Sequence, residues 1–191
     1  MPNWCSNRLT VTGDPGKIAE IEKHALAGTL LNYIVPMPAA LMDTVKGGFS
    51  DDKRQKALEE QIRQNVEQYG YPTWYEFALA NWGTKWDIGE NADAYRDEDR
   101  EVTIWFNTAW CPPIEAYMQL CDQEGIDSVE GTWIEEGCGF CGVFQDGSLH
   151  EVEIAEYTEE WVEENLPTAV LQDFGDGLYE NIAMERELEE E

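Results

Sequence analysis

The sequence predicts an α+β fold: a split βαβ sandwich with a helical insertion, an added C-terminal hairpin and an acidic helix. Three observations carry this prediction. Runs with the two-residue period of half-buried strands recur, stripes with the helical period separate them, and a helix-rich block from residue 28 to 83 interrupts the alternation. The first strand is Asn7 to Gly13, with Leu9 and Val11 on one face and Arg8, Thr10 and Thr12 on the other. Asp14-Pro15-Gly16 then opens a helix, because a carboxylate suits the N-cap and proline the first turn. Its apolar stripe is Ile18, Ile21, Ala25 and Leu26. Inside the insertion, a proline-broken loop precedes a polar helix from about Asp51 to Gln68. An aromatic-rich helix from about Thr73 to Trp82 follows the turn Gly70-Tyr71-Pro72-Thr73.

Strand pattern resumes at Thr84 to Ile88, pauses in the charged loop Asn91 to Arg100, and returns at Glu101 to Thr108. There Val102, Ile104 and Phe106 alternate with Glu101, Thr103 and Trp105, which predicts an antiparallel hairpin. Pro112-Pro113 opens a helix whose Ile114, Tyr117, Met118 and Cys121 form an apolar stripe, and a strand from about Asp127 to Glu136 comes next. The order β, α, insertion, β, β, α, β is that of a ferredoxin-like sandwich. Phe140 to Phe144 and Leu149 to Ile154 flank Gln145-Asp146-Gly147-Ser148 as an extra hairpin. Thr158 caps a helix through about Asn165, and Arg186 to Glu191 is expected as a solvated tail. The predicted organisation is a ferredoxin-like domain over 1–154, with its insertion at 28–83, followed by an acidic helical segment and tail over 155–191.

Composition narrows the function. With 191 residues, 42% hydrophobic and eight Trp, the chain has too much apolar surface for a disordered acidic tail. Its 40 acidic and 12 basic side chains give a net charge of −28. Direct nucleic-acid binding and adhesion to an anionic membrane are therefore not expected, since both need clustered Lys and Arg. The start, Met1-Pro2-Asn3-Trp4-Cys5-Ser6, lacks the basic and apolar regions of a signal peptide. The most apolar stretch, Leu30 to Met42, is broken by Pro36 and Pro38, so a soluble cytoplasmic protein is expected. Five cysteines point to reduced thiols, not a disulfide framework.

Four separated phrases stand out: Met1-Pro2-Asn3-Trp4-Cys5, Asn81-Trp82-Gly83-Thr84-Lys85-Trp86, Thr108-Ala109-Trp110-Cys111-Pro112-Pro113 and Gly137-Cys138-Gly139-Phe140-Cys141-Gly142. On these the chain, to roughly Ile154, resembles the YubB-like family of phage and plasmid proteins with a ferredoxin-like domain. The resemblance implies a fold and a mobile-element origin. It supplies no catalytic residues.

The chemical motifs have bland competitors. Cys138-Gly-Phe-Cys141 has the spacing of a redox pair, but it leads into a strand and follows Glu135 and Glu136, whose charges raise a thiol pKa. A zinc reading would need Cys5 and Cys111 to complete a four-sulfur site. His24 and His150 are read as structural or surface histidines. Asp173-Phe174-Gly175 is read as a chance match to a kinase phrase, since no phosphate loop accompanies it. Trp82, Lys85, Trp86, Trp105 and Trp110 are of the types that build stacking platforms for RNA bases, but the companion basic groove is missing, and these aromatics are expected to pack between insertion and sheet. Trp105 is the one to watch, lying on the face opposite Val102 and Ile104 and so either covered by the insertion or exposed to a partner.

The acidic half is the strongest clue. Residues 101–191 hold 24 acids and one base, Arg186. Glu151 and Glu153 stand on one side of a strand about 6.7 Å apart. Glu159/Glu163 and Glu160/Glu164 repeat at about 6 Å along a helix, spacings comparable to those of neighbouring phosphates. The expected function is non-enzymatic, without metal or cofactor: a DNA mimic that presents Glu151, Glu153, Glu156, Glu159, Glu160, Glu163 and Glu164, with Trp105, to a basic surface. The partner expected is a host DNA-binding or defence protein of the restriction or CRISPR type. The alternative is a protein- or small-ligand-binding module that uses the aromatic insertion and Trp105, with the acidity incidental.

Overall fold

In the computed structural model, which describes residues 2–96 and 98–189, strand β1 (Trp4–Gly13) lies at the centre of a six-stranded antiparallel sheet. It pairs with β3 (Glu101–Ala109) on one side and β4 (Ile126–Glu135) on the other. With β2 (Asp93–Tyr95), β5 (Phe140–Gln145) and β6 (Ser148–Glu153), the order is β2-β3-β1-β4-β5-β6. The run β2-β3-β1-β4 is the split arrangement of a ferredoxin-like sandwich, with helix α1 (Pro15–Leu26) after β1 and α6 (Ile114–Cys121) after β3. The fold class read from the sequence is therefore found, hairpin β5–β6 included.

The first sheet face carries the larger core. Cys5, Leu9 and Val11 of β1 point into it with Val102, Ile104 and Trp133, against Ile18, Ile21 and Ala25 of α1 and Ala116, Tyr117 and Leu120 of α6. Each large side chain buried there contributes about 1.5–3 kcal/mol relative to exposure. Glycine makes one contact possible: a Cβ on Gly142 would lie 2.4 Å from Cζ2 of Trp133. The stripe of α6 is rotated from the predicted one, since Met118 is exposed while Ala116 and Leu120 are buried. Asp14 stands at the N-cap of α1 without capping through its side chain, which instead faces Arg100.

The insertion holds α2 (Leu30–Ile34), α3 (Ala39–Met42), α4 (Asp52–Tyr69) and α5 (Trp74–Asn81). The proline-broken loop thus contains two short helices, and Leu30, Leu31 and Ile34 of α2 join the main core. Thr73 caps α5 as predicted, its hydroxyl accepting from Tyr75 N at 3.2 Å. Thr84 to Ile88 is not a strand. It is a strap tied by side chains: Thr84 Oγ1 donates to Ala109 O, and the Asp87 carboxylate accepts from Leu31, Asn32 and Ile88 N–H groups at 2.9 Å. The strand that pairs with β3 falls inside the predicted charged loop, as the short β2.

The second face is covered from the C-terminus. Helix α7 (Glu159–Asn165), capped by Thr158, leads into α8 (Thr168–Glu189), which lies across β4 and β5. Ile134, Cys141 and Ile154 meet Val162, Leu166, Val170, Leu178 and Ile182 in a second core. The predicted tail from Arg186 is the last turn of α8 as far as Glu189, and Glu190 and Glu191 lie outside the described residues. Asp173 accepts a hydrogen bond from the Thr132 hydroxyl at 2.5 Å and pairs with Arg8 at 3.6 Å, which clamps α8 to the sheet.

Candidate functional site

Strand pairing decides where the glutamates point. Val152 stands opposite Cys141 and Ile134, in the second core, whereas Glu151 stands opposite Gly142 and Trp133. Alternation then puts Glu151 and Glu153 on the first face, away from α7. Glu159, Glu160, Glu163 and Glu164 are exposed on α7, whose Val162 is buried beneath them, and exposed Glu156 sits in the connection. The seven carboxylates consequently wrap the β6 edge and do not lie in one plane. Among the described residues none of them is in a salt bridge.

The backbone that carries them is anchored on both sides. Thr158 Oγ1 accepts from Trp161 N at 3.3 Å, and the Tyr157 hydroxyl donates to Glu136 O at 2.6 Å. Asn181 of α8 donates to Glu136 Oε2 at 2.8 Å. Val162 and Leu166 lock α7 into the second core. An acidic helix of seven residues would not hold its shape alone, and this packing supplies the missing stability.

Trp105 is met by α8 and not by the insertion. It is 36% exposed, its ring makes an edge contact with Phe174 at 5.6 Å, and Arg8 lies over it. Asp173 and Phe174 make the contacts of α8 with this part of the sheet. Val170, Phe174, Leu178 and Ile182 recur every fourth residue, a signal that marks the helix and its inward face.

The four sequence phrases converge at one end of the sheet. Trp110 N donates to Asn3 O, the Asn7 amide donates to Thr108 Oγ1 at 2.8 Å, the Cys111 thiol reaches Gly83 O, and Asn3 Nδ2 reaches Cys138 Sγ. The thiols gathered there are held toward the protonated form. Burial, with Cys111 and Glu135 adding to it, pushes the Cys5 thiol far up, and burial raises Cys111. Cys138 is raised by its hydrogen bond to Glu135. Cys141 is pushed up to about 11 by burial. It lies in the second core, on the opposite sheet face from Cys5, so the four sulfurs of the zinc reading are not brought together. Among the described residues, no group of three or more His, Cys, Asp or Glu could hold a metal ion.

Residues 82–172 match the family model described as the ferredoxin-like domain in Api92-like protein, a segment from the strap through β6 and α7 into α8. The uncharacterized protein YubB of Escherichia coli strain K12 is 27% identical over 85 residues, 44% of this chain and 59% of that protein. The match thus spans less than two thirds of the relative's length. The crystal structure of a protein api92 from Yersinia pseudotuberculosis aligns with 82% of this chain and 99% of its own, at 12% identity and a TM-score of 0.45. No described helix is long and apolar enough to cross a membrane.

Proposed function

We propose that the chain uses its ferredoxin-like domain, of which residues 82–172 match the model for Api92-like proteins, as a rigid mount for a DNA-mimicking edge. Glu151, Glu153, Glu156, Glu159, Glu160, Glu163 and Glu164 engage a basic DNA-binding surface on a host protein and exclude DNA from it. The protein acts without catalysis, in the cytoplasm. Restriction and CRISPR-type defence complexes carry such surfaces and are the proposed class of partner. One observation supports this reading above the others: the glutamate-bearing segment folds onto the sheet through a hydrophobic core of its own. A fixed carboxylate array steers a basic partner and selects it by geometry, whereas a floppy acidic tail would lose much of that energy to ordering.

The test uses a variant with Glu151, Glu153, Glu159 and Glu163 all replaced by Lys, beside wild type. Both are immobilised and exposed to host lysate, and the retained proteins are challenged with duplex DNA. Wild type should retain a DNA-handling complex that duplex DNA releases, with the variant retaining it at least tenfold less. Equal retention by both proteins would contradict the reading. Circular dichroism must show the same fold in each.

A further inference from the structure

A groove crosses the second sheet face beyond Phe174 of α8. Two adjoining cavities of about 320 and 250 Å³ form it, sharing Asn91 and Asn107 in their walls. Trp4 and Trp86 line the first, and Trp105 and Asp93 the second. Trp4, Trp86 and Trp105 are 53%, 40% and 36% exposed, so three indole rings stand partly open to solvent along one depression. The sheet fixes their spacing. Trp4 pairs with Ala109, and Trp105 lies four residues earlier on β3, which separates the two by about 14 Å along the strands. Asn107 falls between them on the same face.

The lining disfavours both charged ligand classes. A polyanion would need available cations, but Arg8 is held by Asp173 and Lys85 Nζ sits over the Trp86 ring at 4.2 Å from its centroid. An organic cation would meet cations already in place on two of the rings. Lys85 already covers one face of Trp86, Arg8 lies over Trp105, and of the two carboxylates in the lining Asp87 is taken by three backbone N–H groups, which leaves Asp93 alone. Hydrogen-bonding capacity is present in the same place. Asn107 Oδ1 accepts from Ser6 at 3.3 Å, which orients its amide donor, and Asn91 and Asp93 make no side-chain hydrogen bond to another described residue. A purely apolar ligand would strand those groups.

We propose that this groove binds a neutral oligosaccharide. The C–H faces of successive sugar rings stack on Trp4 or Trp86 at one end and on Trp105 at the other, and ring hydroxyls bond Asn91, Asp93 and Asn107. The site is separate from the glutamate edge and stands whether or not that edge binds a partner. Flat apolar rings with a few placed polar groups are the usual chemistry of a ligand groove.

Tryptophan fluorescence and isothermal titration calorimetry with maltohexaose, cellohexaose and chitohexaose test the proposal. At least one hexasaccharide should give saturable heat and a matching fluorescence change. Trp4→Ala, Trp105→Ala and Asn107→Ala should each weaken it at least tenfold, while Trp110→Phe, an exposed tryptophan outside the groove, should leave it unchanged. The Asn107 variant separates recognition from any effect on folding, since that side chain is exposed. Absence of saturable binding by all three sugars would overturn the proposal, as would binding that survives all three groove substitutions. Equal or tighter groove binding of oligo(dT) or of a trimethyllysine peptide would overturn it too.

Discussion

The two faces of the sheet are covered by layers of different character. On the first, α1, α2, α5 and α6 surround a core that includes Leu9, Ile104, Tyr117 and Trp133. On the second, a single C-terminal unit, α7 and α8, covers β4 and β5 around a smaller core and leaves Trp105 and Trp4 partly open. The first layer makes the fold; the second shapes a charged edge and an open groove. Dividing the tasks this way lets one part of the surface carry unneutralised charge without straining the main core.

That contrast can be broken most severely from the first face. Trp133→Ala should cost about 3–5 kcal/mol, through lost burial and the cavity left beside Gly142, and should lower the denaturation midpoint of the whole chain. Leu178→Ala, in the second core, should cost about 2–3 kcal/mol and act locally. Hydrogen exchange should then quicken in α7 and α8 while β1 and β3 stay protected; uniform loss of protection would mean that the two layers melt as one. Asp173→Ala removes the bonds to Thr132 and Arg8 and should cost about 1 kcal/mol, read by urea denaturation.

The smallest effect is a pH dependence. Burial raises Asp87 above its ordinary 3.8 in the folded state despite its three backbone N–H donors. The folded chain therefore holds this proton more tightly than the unfolded chain does. That contribution to stability is fully present below 3.8 and is lost as pH rises through the raised folded value. Asp87→Asn removes the titration, so the stability difference between wild type and variant should shift in the variant's favour as pH rises across this window. Parallel stability curves would contradict the assignment.

The first face was legible because strand and helix periods are plain where burial is complete. Leu9 and Val11 alternate, Ile18, Ile21 and Ala25 recur at helical spacing, and all are buried. The strap at Thr84 to Ile88 misled because buried residues in an irregular segment alternate as a strand does, while its hydrogen bonds go to side chains. Helix α8 was hidden by Gly175 and Gly177, each costing about 1 kcal/mol in a helix, and by its acidity. Its stripe every fourth residue becomes meaningful only against a sheet face that needs cover. Exposure of the seven glutamates could be expected from charge, but their division around the β6 edge depends on register, which no local pattern encodes.

Mimicry needs geometry as well as charge, so the most direct test loosens the scaffold and leaves every carboxylate in place. Retention of duplex-DNA-releasable host proteins should be compared between wild type and the Val170→Ala, Leu178→Ala double variant, at equal ionic strength. A mimic held by the second core predicts at least a tenfold loss of retention with net charge unchanged. Undiminished retention, in a variant whose α7 and α8 exchange freely, would show that charge alone suffices and contradict the account.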